Sequence, residues 1–257
     1  MSIPKFTEKD FYVQCNDSSE ADLIFPSVLT GDFQEVAEDA VVEFGVDTPS
    51  LNQAGFCWII LKMTVEMDRY PAWKESFKVR TWSHGCEKLC WIRDYQVIDS
   101  DGNEIGRGTS DWIVADAATH RPVRPRTVVE TFSHVEGYDR LIEEQNDKRM
   151  LPFSSPKLDF PEDLASLGEP IISKYADYSE LDHNHHVNNT RYISWAYDAL
   201  HKLGRDVYSV NKFDINYHAE VKAGERVDIY HTEIDGNDFI FGYIDGTKKV
   251  FAFRGRR

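Results

Sequence analysis

The chain has 257 residues, 41% of them hydrophobic and 13% aromatic, with a formal net charge of −15, a length that suits one large domain or two small ones. A chain this acidic is repelled at long range by nucleic acid and by anionic lipid surfaces, and no apolar run approaches the roughly 18 residues a membrane span needs, so no nucleic-acid partner and no membrane span are expected. The opening "MSIPKFTEKDFYVQ" has no apolar stretch behind a basic start, so no secretory signal is expected; the four cysteines Cys15, Cys57, Cys86 and Cys90 make no disulfide framework, and the expected location is the cytoplasm.

The first predicted element is a helix. Phe33, Val36, Ala37, Ala40, Val41 and Phe44 fall at i, i+3, i+4, i+7, i+8 and i+11, one face of a helical cylinder, with Asp32 and Glu35 as a capping-box start and Gly45 as the stop. Cys57 follows in an apolar run, where a buried thiol is expected. Strand signals come next: Leu61, Met63, Val65 and Met67 alternate with Lys62, Thr64 and Glu66, then "FKVRTW", "WIRDYQVI", the turn "DSDGN" and "EIGRGTSDWIVA".

Residues 116–170 hold six of the ten prolines, which marks a crossover linker with a short connecting helix inside "VVETFSHVEGYDRLIEEQNDKRM". Beyond it, Tyr192, Trp195, Ala196, Ala199, Leu200 and Leu203 repeat the spacing of the first helix at a constant offset of 159, with Gly204 in the place of Gly45. Strand signals again follow: Phe213, Ile215, Tyr217 and Ala219 alternate with Asp214, Asn216, His218 and Glu220, then "ERVDIYHTEI", "DFIFGYI" and "KKVFAFR", separated by Asp-Gly turns.

A helix followed by an antiparallel meander thus occurs twice. One helix cannot cover both flanks of such a sheet, so two copies are expected to pair edge to edge or face to face around a continuous core. The fold class is α+β, a tandem double hot-dog in which each unit is a long helix wrapped by a curved antiparallel β-sheet. The expected boundaries are 1–120 for the first unit, 121–170 for the linker and 171–257 for the second unit, which carries the active-site loop.

That loop reads "LDHNHHVNNTRYISW" (181–195). The offset of 159 sets residues 182–189 against "LIFPSVLT" (23–30), so Asp182 falls opposite Leu23, Asn184 opposite Phe25 and His186 opposite Ser27: one copy is apolar, the other polar, and one site per chain follows. In an extended segment Asp182, Asn184 and His186 project to one side and His183 and His185 to the other. The segment runs into a helix N-terminus, where free N–H groups favour negative charge. An amide, an imidazole and a carboxylate there suit attack on an acyl carbonyl. Two other readings stay open on spacing alone: a metal held by His183 and His185 with a more distant histidine, and a solvated loop in which Asn188 or Asn189 only caps the helix.

"DHNHHVNNTRYISW" resembles the D-x-N-x-H-V-N-N-x-x-Y-x-x-W signature of acyl-acyl carrier protein thioesterases. "RYPAWKESFKVRTWSHG" and "IRDYQVIDSDGNEIGRGTSDWIVADAATHRPVRP" are similar to the same family's first half. The resemblance runs from about residue 5 to residue 253. It implies the double hot-dog fold, hydrolysis of fatty acyl thioesters in fatty acid biosynthesis, acyl carrier protein as partner, no cofactor and no metal, and catalytic residues at Asp182, Asn184, His186 and Glu220, with direct attack by Asp182 as a variant. Glu220 ends the polar face of its predicted strand. Val221 stands where plant members carry a cysteine, so a Cys–His mechanism is not expected through that position. No transit peptide is expected at the N-terminus, so the chain looks like a bacterial member or a mature form. A homodimer is a permitted assembly.

An acidic carrier needs a basic surface, and the candidates are Arg121, Arg124 and Arg126, or Lys248, Lys249, Arg254, Arg256 and Arg257. Neighbouring functions to be separated by assay are an acyl-CoA thioesterase, a hot-dog dehydratase and a non-enzymatic acyl-binding protein. Trp58, Met63, Met67 and Phe25 are candidates for the wall of an acyl cavity.

Overall fold

A computed structural model of the protein describes residues 6–42, 45–134 and 155–257. Ten strands form one antiparallel sheet: β1 (Thr7–Tyr12), β2 (Phe56–Met67), β3 (Ser76–Glu87), β4 (Cys90–Asp99), β5 (Glu104–Asp116), β6 (Ile172–Tyr175), β7 (Lys212–Tyr217), β8 (Arg226–Ile234), β9 (Asn237–Ile244) and β10 (Lys248–Arg256). Among the described residues four α-helices accompany them: α1 (Pro26–Val42), α2 (Thr48–Gln53), α3 (Pro125–Thr131) and α4 (Asn189–Lys202).

The strand order is β1-β3-β4-β5-β2-β7-β10-β9-β8-β6. Its two halves mirror one another, β1 answering β6, β3 answering β8, β4 answering β9 and β5 answering β10. They meet edge to edge where β2 pairs with β7: Thr64 stands opposite Asp214, flanked by Lys62 opposite Asn216 and Glu66 opposite Lys212. Each half wraps one long helix, and α1 and α4 contact each other across the centre, with Gln34 Nε2 donating to Asn189 Oδ1. This is the double hot-dog, with one apolar core that runs through both units.

The predicted helix faces are the buried ones. Phe33, Val36, Ala37, Ala40 and Val41 of α1, and Tyr192, Trp195, Ala196, Ala199 and Leu200 of α4, are all buried; Phe44 lies outside the described residues. The Phe33 ring stacks on Tyr95 at 4.5 Å between centroids. That approach depends on Gly108 of β5, where a Cβ would stand 2.9 Å from the Phe33 ring and 3.1 Å from the Thr64 carbonyl.

The expected start of the first helix is wrong. Asp32 and Glu35 make no cap: α1 begins at Pro26, whose fixed φ suits a first helical position, so Asp32 lies inside the helix. Burial, and then the nearby carboxylates of Asp17 and Glu35, push the Asp32 carboxyl up to about 7. The edge strands β1 and β6 and the short helix α2 carry no periodic apolar signal and were not expected from the sequence. Only the first residues of the expected connecting helix fall in α3; the rest lies outside the described residues.

The alternation read in 213–220 also has a different meaning. The strand stops at Tyr217, so Glu220 lies beyond it, and the "polar face" is not solvated: Asp214 and Asn216 are as buried as Phe213 and Ile215. Residues 155–158 of the expected linker cover that face. Asn216 accepts from the Leu158 N–H at 2.6 Å and donates to the Pro156 carbonyl at 2.9 Å, while Thr64 Oγ1 meets Ser155 Oγ at 3.1 Å. Asp214, with no side-chain exposure, takes hydrogen bonds from Thr64 Oγ1 (2.7 Å), Arg254 Nη2 (2.8 Å) and Arg256 Nη2 (2.5 Å). Removing one partner of a buried ion pair leaves the others uncompensated. Asp214→Ala is therefore expected to destabilise the fold by roughly 3–5 kcal/mol, read from the midpoint of urea unfolding at unchanged slope. A loss below about 1 kcal/mol would mean that the arginines find water instead.

Candidate active site

The segment 181–187 is a hairpin turn rather than an extended strand. Leu181 bridges Val187, the Asp182 N–H donates to the His186 carbonyl at 2.9 Å, and the His185 N–H donates to the Asp182 carbonyl at 3.0 Å. His185 takes the left-handed conformation (φ +63°), which reverses the chain. The Asp182 carboxylate accepts from the Asn184 N–H at 2.8 Å through Oδ1 and so pins the turn. Beyond it Asn188 caps α4, accepting from the Thr190 N–H at 2.9 Å. The Asn188 cap and the exposure of His183, Asn184 and His185 agree with the solvated-loop reading, while Asp182, His183, Asn184, Asn188 and Asn189 also border a cavity.

The first unit contains the same turn, but not where the constant offset put it. Ser18 bridges Ile24, Asp22 is left-handed (φ +57°), and Ser19 Oγ accepts from the Ala21 N–H as Asp182 does from Asn184. Ser19, Ala21 and Leu23 are therefore the counterparts of Asp182, Asn184 and His186. The offset is 163 at the turn and returns to 159 at Gly45 and Gly204, because α1 has 17 residues against 14 in α4. A difference of about one helical turn keeps the buried face in phase, so the helical spacing alone could not reveal it. The contrast between copies survives the correction: the first turn lacks the amide and the imidazole. By the β2–β7 register, in which Thr64 answers Asp214, the counterpart of Glu220 is the buried Tyr70.

The turn borders a cavity of about 740 Å³ between α1, α2 and strands β2 to β5. Asp182, His183, Asn184, Asn188 and Asn189 line one part of it; Val41, Trp58, Trp91, Ile92 and Trp112 supply apolar wall elsewhere. This contradicts the expected parity, which separated His183 from Asp182 and Asn184, and the left-handed turn is the reason. Of the four wall candidates named from the sequence, only Trp58 lines the cavity; Met63 and Met67 are core residues and Phe25 is exposed.

His186 and Glu220 are not among the lining residues. They form a pair beside the turn, His186 Nε2 standing 3.3 Å from Glu220 Oε2, and the chains that carry them are bridged between His186 and Lys222. The other carboxylate oxygen, Oε1, stands 3.1 Å from His120 Nδ1. His120, from the turn after β5, was not singled out in the sequence; its signal lies only in tertiary structure. Burial pushes the Tyr192 phenol above its ordinary value, and the Glu220 and Asp182 carboxylates add to the effect. Cys57 is half-buried at the cavity rather than in the core, and burial followed by the Glu220 and Asp116 carboxylates raises its thiol. It therefore stays protonated and is a poor nucleophile. Val221, fully buried, gives its carbonyl to the Val187 N–H.

Both Glu220 oxygens face imidazoles. Asp182 lines the cavity, and its Oδ2 has no partner among the described residues. Of the first α4 amides, Thr190's goes to the Asn188 side chain and Arg191's to the Asn188 carbonyl; among the described residues the Asn189 N–H has no hydrogen-bond partner, and Asn189 lines the cavity.

The second basic cluster is structural. Arg254 and Arg256 hold Asp214, Arg257 holds Asp238, and Lys248 donates to the Glu220 carbonyl at 2.9 Å. Arg121, Arg124 and Arg126 are exposed on the stretch that follows His120, although Arg126 also pairs with Glu130. Among the described residues no three His, Cys, Asp or Glu side chains come together as a metal would require. No helix among them is long and apolar enough to cross a membrane.

Comparison with known proteins gives a consistent result. Residues 4–131 match the acyl-ACP thioesterase N-terminal domain and residues 167–252 the acyl-ACP thioesterase C-terminal domain, ACP being acyl carrier protein. The chain is 28% identical over 218 residues to the chloroplastic oleoyl-acyl carrier protein thioesterase 2 of Arabidopsis thaliana, covering 80% of this chain and 57% of that protein. It is 29% identical over 185 residues to the chloroplastic oleoyl-acyl carrier protein thioesterase of Coriandrum sativum, covering 70% of this chain and 48% of that one. The chain thus spans about half the length of the curated relatives it matches. In fold it is similar to the crystal structure of an acyl-ACP thioesterase from Bacteroides thetaiotaomicron, with a TM-score of 0.81 at 22% identity over 98% of this chain and 97% of that one. The 12:0-ACP thioesterase from Umbellularia californica superposes with a TM-score of 0.74 at 17% identity, over 98% and 96% of the two chains.

Proposed function

The chain belongs to the acyl-ACP thioesterase family, and from that premise we propose that it hydrolyses fatty acyl thioesters of acyl carrier protein to free fatty acid and carrier thiol, as a step of fatty acid biosynthesis in the cytoplasm. The observation that carries the reading is the turn that sets Asp182 and Asn184 in the wall of a partly apolar cavity, beside the His186–Glu220 pair. The active-site turn belongs to the second unit (171–257) and most of the cavity wall to the first (1–120).

The acyl chain lies in the cavity, with its thioester carbonyl at the turn. The Asn184 amide and the Asn189 N–H donate to the carbonyl oxygen and stabilise the negative charge it gains. Asp182 Oδ2 takes a proton from a water molecule as the water oxygen bonds to the carbonyl carbon. The tetrahedral intermediate collapses, the C–S bond breaks, and His186, held by Glu220, gives the leaving sulfur its proton; the proton Asp182 took from water then passes to His186 and restores both groups. No cysteine or serine is acylated.

Carrier docking falls to Arg121 and Arg124, the exposed arginines nearest in sequence to His120. Exposed charges act through a field that salt screens within about 10 Å at 0.1 M. Raising ionic strength from about 0.05 to 0.5 M is expected to lower kcat/KM for an acyl-ACP substrate at least about fivefold and leave an acyl-CoA substrate within about twofold. The Arg121→Glu/Arg124→Glu protein should show the same loss at low salt. Equal salt dependence for both substrates would remove the carrier from the proposal and favour coenzyme A.

A further inference from the structure

We propose that His120 is a positioning residue for Glu220, by which the first unit reaches into the active site of the second; the proposal rests on the thioesterase reading of that site. The geometry is a carboxylate held between two imidazoles. His120 Nδ1 stands 3.1 Å from Oε1 and His186 Nε2 stands 3.3 Å from Oε2, with the two rings edge to face at 88° and 6.3 Å between centroids. A glutamate carboxylate rotates freely about its last torsion, which is broad and two-fold. One imidazole contact leaves that rotation open, whereas contacts on opposite oxygens restrict the plane in which His186 is held.

His120 is itself held in place. It takes the left-handed conformation (φ +53°), uncommon for a residue with a side chain, and the observed outlier invites a functional account. The surrounding turn enforces it. The Asp116 carboxylate accepts from the Ala118 N–H (3.2 Å), the Thr119 N–H (2.8 Å) and the Thr119 hydroxyl (2.7 Å), and the His120 N–H donates to the Asp116 carbonyl at 2.8 Å. Ala115 and Pro122 bridge across the base of the turn. On the other side Lys248 fixes the Glu220 backbone through its carbonyl and stands 3.6 Å from Glu225. Both side chains of the His120–Glu220 pair are about 40% exposed (43% and 39%), so the pair adds little stability and its effect is geometric.

The test compares wild type, His120→Ala and His120→Gln as the full chain. For His120→Ala, kcat on an acyl-ACP substrate should fall about tenfold, with KM within about twofold and an unchanged thermal midpoint. Glutamine, whose amide can donate to the same oxygen, should recover a large part of the loss. Imidazole NMR of the unliganded protein gives a readout that needs no turnover: the His186 ring signals should move in His120→Ala while those of His84 and His231, which contact Asp94 and Asp238, stay. Wild-type kcat with unmoved His186 signals would overturn the proposal. So would a kcat loss that only follows a fall in folded protein, or one that glutamine deepens. If wild type hydrolyses no acyl thioester, the reading of the site fails, and the His186 signals alone decide whether His120 orients Glu220.

Discussion

Asp182→Asn is expected to lower kcat on an acyl thioester by at least about a hundredfold, the low end of what a positioned acid or base contributes, with KM changed no more than a few-fold. The substitution is informative because it is nearly isosteric. The asparagine carbonyl can still accept the Asn184 N–H that Asp182 Oδ1 accepts, and the backbone bond from residue 182 to the His186 carbonyl is untouched. The turn should therefore persist, together with the cavity wall and the thermal midpoint. What is lost is the free oxygen Oδ2 as proton acceptor. A mutant that keeps more than about a tenth of the wild-type kcat would move the base elsewhere, and Glu220 would be next in line.

The second large effect is expected at the imidazole–carboxylate pair. His186→Ala and Glu220→Gln should each reduce kcat about a hundredfold or more. The double mutant should be little worse than His186→Ala alone, because a carboxylate that acts by holding a ring has no role once the ring is gone. The geometry behind this is the contact between His186 Nε2 and Glu220 Oε2. Losses that multiply would show that Glu220 acts on water independently of His186, which would reverse the roles of the two carboxylates. The cycle therefore tests the division of labour.

Much of this architecture could be read from the sequence, and its limits have physical causes. Helical spacing in 33–41 and 192–200 identified both core faces because those residues do pack inward. The Asp-Gly turns and alternating runs identified the meanders. The constant offset of 159 misses the turn register because an added helical turn leaves the face pattern intact, so periodicity is blind to it. Parity failed at His185, since a left-handed residue breaks alternation and nothing in the local composition announced it. Alternation in 213–217 was real, yet both faces are buried, because residues 155–158 cover the side carrying Asp214 and Asn216. The basic C-terminus looked like a docking surface while its arginines serve Asp214 and Asp238. His120 was invisible for the simplest reason: it meets Glu220 across 100 positions of chain.

Thioester hydrolysis at the 181–187 turn is tested most directly by incubating the purified protein with acyl-ACP substrates across a ladder of chain lengths while measuring free carrier thiol and free fatty acid together. Both should appear in equal amounts for at least one chain length, and Asp182→Asn, folded to the same thermal midpoint, should release neither at more than about a hundredth of that rate. Wild-type protein that binds acyl-ACP and frees no thiol at any chain length would contradict the assignment, as would thiol release that Asp182→Asn leaves unchanged.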